Sequence, residues 1–172
     1  LYKFLREMEF TRLLSSAIPT YGEPELEENG LETTPQKKQQ DITKKNYHLI
    51  TNEAEIDGWI NEAEEAGELA IDTETSSLDA HQADLVGISL STKIGKACYI
   101  PIGHKFKGCL KKEAVIKKLK PLLEDKSVKK IGQNIKFDFI VLFKQGIDMN
   151  SMEDTMLMSY VLDAGKNRHN MD

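Results

Sequence analysis

The stretch Ala70-Ile71-Asp72-Thr73-Glu74-Thr75-Ser76-Ser77-Leu78-Asp79 constrains this chain more than any other. Leu69, Ala70 and Ile71 form a short apolar run that reads as a buried strand. Two acids, Asp72 and Glu74, stand at its end, one residue apart. In extended backbone alternate side chains point the same way, so both carboxylates face one spot. Two anions held that close repel, and burying them requires something positive between them. A hard divalent cation that takes oxygen ligands, Mg²⁺ or Mn²⁺, meets the requirement. The same residues also fit two solvated acids at a strand end, with Thr73 and Thr75 opening a turn.

A chain of 172 residues, 40% of them hydrophobic, buries one core of ordinary size and leaves no room for a second full domain. The net charge of -5 excludes nucleic-acid binding through bulk positive charge, so any such contact is local. Cys98 and Cys109 lack metal-ligand spacing and point to a reducing, cytoplasmic compartment. No apolar run reaches membrane-spanning length. The chain starts at Leu1 without Met and without the form of a signal peptide, and is expected to come from a longer protein.

Residues 1–14 carry Leu1, Phe4, Leu5, Met8 and Leu13 near helical spacing and predict an amphipathic helix. Residues 15–46, punctuated by Pro19, Gly22, Pro24, Gly30 and Pro35, read as a flexible interdomain linker. A strand over Tyr47–Ile50 follows. Asn52 and Glu55 then form a capping box for a helix that buries Ile56, Trp59, Ile60 and Ala63 and ends at Gly67. Strands over Leu85–Leu90 and Ala97–Ile100 form a meander with the acid-bearing strand. Next come a Lys-rich helix over Lys111–Leu123, a strand over Val128–Ile131 and a helix from its Asn134 cap to Gln145. A short strand near Ile147–Met149 and a helix from Asp154 to Leu162 complete the pattern.

A third acid stands inside the Asn134-capped helix. Ile135, Phe139, Leu142 and Phe143 make one stripe, widened by Phe137, Ile140 and Val141. Asp138 lies among these aromatics, one turn in, where capping does not explain it. A partly buried acid needs a partner, and a metal site shared with Asp72 and Glu74 supplies one. A salt bridge to Lys136 or Lys130 is the local alternative.

Asp72-Thr-Glu-Thr-Ser-Ser-Leu-Asp79 followed by Gly132-Gln-Asn-Ile-Lys-Phe-Asp138 resembles the first two exonuclease motifs of the proofreading domain of bacterial DNA polymerase I. The stretches Ala97–His104, Leu119–Asp125 and Asp154–Gly165 resemble the same domain, and together they cover residues 47–172. Residues 1–14 resemble the end of the 5′-nuclease domain that precedes it. The resemblance implies an α/β, ribonuclease-H-like fold: a mixed five-stranded sheet flanked by helices, C-terminally truncated, with the acids on the central strand. It implies a 3′→5′ exonuclease acting on single-stranded DNA ends with two ions, Mg²⁺ or Mn²⁺. Asp72 bridges both, Glu74 holds one and Asp138 supports the second through water. Leu78 becomes a wedge between terminal bases. Thr75, Gln133, Asn134 and Phe137 hold the 3′ end, Met156 lies beside the last nucleotide and Arg168 contacts a phosphate. Its expected partners are DNA and the polymerase and 5′-nuclease domains of the same parent chain, in a bacterial cytoplasm, with no membrane contact.

The family's third motif, Tyr-x-x-x-Asp, supplies a further carboxylate and lies beyond Asp172. Tyr160-Val-Leu-Asp163 is one residue too short to be that motif. Little or no activity is therefore expected from these residues alone. Two other readings stand beside this one: a catalytically silent structural or single-strand-binding module, and an RNA-trimming exonuclease of the same superfamily.

Overall fold

The computed structural model describes residues 2–8, 10–22, 46–105, 107–163 and 169. It divides into two compact units, Leu1–Gln40 and Asp41–Asp172. Residues 23–45 of the expected linker and Arg168 lie outside the described residues.

The first unit holds α1 (Tyr2–Glu7) and α2 (Thr11–Tyr21). A single helix over 1–14 is not formed. The chain turns at Phe10, whose N–H returns to the Leu5 carbonyl at 2.9 Å. Helix α2 then continues through Ser15 to Tyr21, into residues that Pro19 had suggested were linker. Leu5 of α1 and Ala17 of α2 are buried.

The second unit is a six-stranded mixed sheet in the order β1-β4-β3-β2-β5-β6. The strands are β1 (Asn46–Leu49), β2 (Glu68–Thr75), β3 (Leu85–Lys93), β4 (Lys96–Pro101), β5 (Lys129–Gly132) and β6 (Met152–Asp154). The acid-bearing β2 lies inside the sheet, antiparallel to β3 and parallel to β5. The expected meander is β2-β3-β4. The sheet has one strand more than the five expected, and the last is shifted. Ile147 and Met149, which alternate like a strand, are instead buried as loop residues. The chain turns at Ser151, with φ 53°, before β6 pairs with β5.

Helices α3 (Glu53–Ala66), α4 (Lys112–Glu124), α5 (Ile135–Phe143) and α6 (Thr155–Asp163) accompany the sheet. One core gathers Ile56, Trp59 and Ala63 of α3 with Leu119 and Leu122 of α4, Leu142 of α5, and Ile71, Ile88 and Ile100 of the strands. Trp59 is thus a core residue, with the Lys96 ammonium over its ring. Asn52 caps α3 by accepting the Ala54 N–H at 3.0 Å, and Gly67, at φ 69°, ends it. The reciprocal half of the capping box is absent, because the Glu55 carboxylate pairs with His48 Nε2 at 2.5 Å.

Candidate active site

Burial alternates along β2. Leu69, Ile71 and Thr73 point into the core, while Ala70, Asp72 and Glu74 point to the other, solvent-open face. Across the ladder Asp72 stands opposite Ser89 and Glu74 opposite Gly87. On this face the small residues Ala70, Ser89, Ser91, Ala97 and Gly132 help to line a groove of about 260 Å³, together with Asp72, Gln133 and Thr155. Asp72 stands on the groove wall. Its carboxyl is held above the ordinary aspartate range, first by partial burial and then by the charge of Glu74. Among the described residues neither acid has an ion-pair partner. Two adjacent carboxylates without a cation are hard oxygen donors of the kind that Mg²⁺ or Mn²⁺ takes, so this pair fits such an ion.

Asp138 approaches the same strand differently. Ile135, Asp138, Val141 and Leu142 form the buried side of α5, which leaves Phe143 exposed, so the helix is rotated from the expected stripe of Ile135, Phe139, Leu142 and Phe143. Asp138 is 3% exposed. It accepts the backbone N–H of Thr73 at 2.8 Å and the Thr73 hydroxyl at 2.6 Å. Strand β2 runs on past Ala70, its last partner on β5, so the amide of Thr73 is met by a side chain there. Burial raises the Asp138 pKa from 3.8 to about 6. The two Thr73 bonds oppose that rise and the Asp72 charge adds to it.

The local salt bridge is not made. Lys130 is fully buried and donates to the carbonyls of Asp125 and Val128, at 2.5 and 2.7 Å. The three acids therefore meet at one segment of β2 without sharing one point. Asp72 and Glu74 occupy its open face, and Asp138 grips Thr73 between them. Among the described residues no three His, Cys, Asp or Glu side chains form a metal-holding group. Thr73 is the site residue that the sequence reading assigned only to a turn. Its position on the buried face of an acidic strand was the available signal, since a buried hydroxyl needs a partner.

The substrate-side residues surround this segment. Leu78 is 98% exposed, so it is no core residue. Its loop is closed by Ser76 and Asp84, whose bonds measure 3.0 and 2.9 Å, and Thr75 donates to the Ser77 carbonyl. Gln133 accepts from the Thr155 hydroxyl at 2.5 Å and donates to the His169 carbonyl at 2.6 Å. Asn134 does not cap α5 with its side chain; it takes a left-handed φ of 56°. Its N–H goes to Asp154 Oδ1 at 3.0 Å, which also accepts the Met156 N–H at 2.9 Å, so one carboxylate serves the starts of α5 and α6. Phe137 and Met156 are half-buried. Tyr160, on α6, is exposed.

Residues 47–172 match the model of the family described as 3′-5′ exonuclease. The chain is 40% identical over 173 residues to DNA polymerase I of Pseudomonas aeruginosa, an alignment covering 97% of this chain and 18% of that protein. It is 44% identical over 147 residues to DNA polymerase I of Rhizobium leguminosarum, covering 73% of this chain and 14% of that one. The chain thus spans less than a fifth of the length of these relatives. Among solved structures it is similar to Brucella melitensis NrnC with bound Mg²⁺, at 26% identity and a TM-score of 0.53, over 74% of this chain and 58% of that one. Fold, acidic strand and family match agree: the chain belongs to the 3′-5′ exonuclease family.

Proposed function

We propose that this chain is the proofreading part of a DNA polymerase I, removing nucleotides one at a time from single-stranded 3′ ends of DNA. One observation carries the reading: Asp72 and Glu74 project from the end of an interior strand onto its solvent-open face, Asp72 on the wall of a groove there, and neither has a cationic partner among the described residues. The relatives are named DNA polymerase I, which favours DNA as substrate and further polymerase and nuclease domains in the parent chain.

Asp72 and Glu74 would hold the divalent cation, Mg²⁺ or Mn²⁺. The NrnC structure with bound Mg²⁺ supports this choice of ion. When bound, such ions supply an activated water and neutralise charge gathering on the phosphodiester. The chain itself does the positioning. Asp138 fixes Thr73, and with it the backbone that aims the two acids. Leu78, on its closed loop, offers an apolar wedge to the bases, which suits a substrate read without regard to sequence. Thr75, Gln133, Asn134, Phe137 and Met156 are the proposed contacts of the strand end, with Arg168 at a phosphate.

The test is Asp72→Ala in the intact protein, assayed on a 5′-labelled single strand with Mg²⁺. Loss of at least a hundredfold in shortening from the 3′ end is expected. Unchanged shortening would exclude this site.

A further inference from the structure

Gly87 has no side chain for a reason visible on the open face. An ideal Cβ built there would stand 1.9 Å from the Tyr99 hydroxyl and 2.3 Å from its ring carbon Cζ. Gly87 is the cross-strand partner of Glu74, so a Cβ at Gly87 and the Glu74 side chain lie side by side on one face. The Tyr99 hydroxyl therefore occupies the place of the side chain that would neighbour Glu74. Tyr99 leans there diagonally from β4, where its own partner is Ser89.

The hydroxyl is held. Its oxygen lies 2.7 Å from His104 Nε2, and the two rings meet edge to face at 5.8 Å. The chain brings His104 back by a turn in which Ile102 and Gly103 both donate to the Val86 carbonyl, at 2.9 and 2.8 Å. The Cys109 thiol donates to the His104 carbonyl at 3.0 Å.

We propose that Tyr99, oriented by His104, is a positioning residue that donates its hydroxyl proton to the Glu74 carboxylate and fixes that acid for its cation. The Tyr99–His104 bond is in place; in the proposed arrangement Glu74 can only accept, so Tyr99 O–H donates to it and His104 presents Nε2–H to the Tyr99 oxygen. The Tyr99 phenol is held above its ordinary value, first by burial and then by the Glu74 charge, in keeping with this proximity. A partner behind a metal-holding carboxylate orients it, and its removal weakens metal binding. This inference rests on the assignment of Asp72 and Glu74 as the cation-holding pair.

The experiment is Mn²⁺ binding to the intact protein, read from the free-ion electron paramagnetic resonance signal with no substrate present. Tyr99→Phe keeps the ring and is expected to weaken binding about tenfold, with an unchanged unfolding midpoint. Gly87→Ala, which displaces the hydroxyl from the other side, gives the same loss. His104→Ala weakens binding, and His104→Gln, which keeps an N–H donor, restores it. If Glu74→Ala loses the ion while Tyr99→Phe and Gly87→Ala bind as the parent does, the Tyr99 role is overturned and the site stands. If Asp72→Ala and Glu74→Ala both bind normally, site and role fall together.

Discussion

Asp138 and Thr73, 65 residues apart in sequence, are joined by two hydrogen bonds of 2.8 and 2.6 Å to a single carboxylate oxygen. The pair ties α5 to β2 at the residue lying between Asp72 and Glu74. It turns the third acid of the family pattern into a clamp on the strand that carries the other two. Buried carboxylates held by donors on this scale are structural elements as much as chemical ones.

Thr73→Val removes the hydroxyl while keeping the shape, and leaves Asp138 with the backbone donor alone. We expect a loss of about 1–2 kcal/mol in stability, read as a lower urea midpoint at an unchanged slope. Nuclease activity should fall as well, because the strand bearing both acids loses one of the two bonds that tether it.

Asp138→Asn separates stability from activity through pH. The folded pKa of Asp138, about 6, lies above the ordinary 3.8, so the folded state holds this proton more tightly. Its contribution is therefore most favourable below pH 4 and declines as pH rises through 6. An asparagine side-chain oxygen still accepts both Thr73 donors and carries no charge. In metal-free buffer the variant should match the parent near pH 4 and exceed it by on the order of 1–2 kcal/mol at pH 8. The family resemblance also gives Asp138 a place beside the second ion, through water, which an uncharged asparagine cannot fill. The exonuclease rate at pH 8 should therefore be lower even though the Thr73 tether is kept. A variant less stable than the parent at pH 8 would contradict this account of the clamp.

Leu78→Ala tests the wedge. The side chain is 98% exposed, so stability should move by less than about 0.5 kcal/mol. The specific rate on single-stranded 3′ ends should drop about fivefold, equivalent to ~1 kcal/mol of lost contact with the bases. Equal rates for variant and parent would remove Leu78 from the substrate path.

Much of this arrangement was legible in the residues. The apolar run ending in Asp72 and Glu74 gave an interior strand and a shared face, because period-two alternation is local and needs no tertiary information. The Asn52 cap and the Gly67 stop of α3 were readable for the same reason. The rotation of α5 was not, since nearly every residue from Ile135 to Phe143 is apolar and such a helix has no unique inner face. What fixes it is the Thr73–Asp138 pair, a contact between distant segments. Ile147 and Met149 failed similarly: their alternation mimics a strand, yet the turn at Ser151 decides where pairing begins. Asn134 is the N-cap residue of α5 as expected, but its side chain makes no cap bond; its own N–H goes to the carboxylate of Asp154, twenty residues on. The Tyr99–His104 contact crosses a loop and depends on the space left by Gly87 on the neighbouring strand, a tertiary relationship with no local signal.

The central claim is that Asp72 and Glu74 together hold the cation that the nuclease chemistry uses. An anomalous difference map at the manganese edge, from crystals of the intact protein soaked in Mn²⁺, addresses it most directly. The account predicts a peak within bonding distance of both carboxylates, above the groove lined by Ser89 and Gly132. Manganese bound elsewhere in the domain, with both carboxylates left bare, would contradict it.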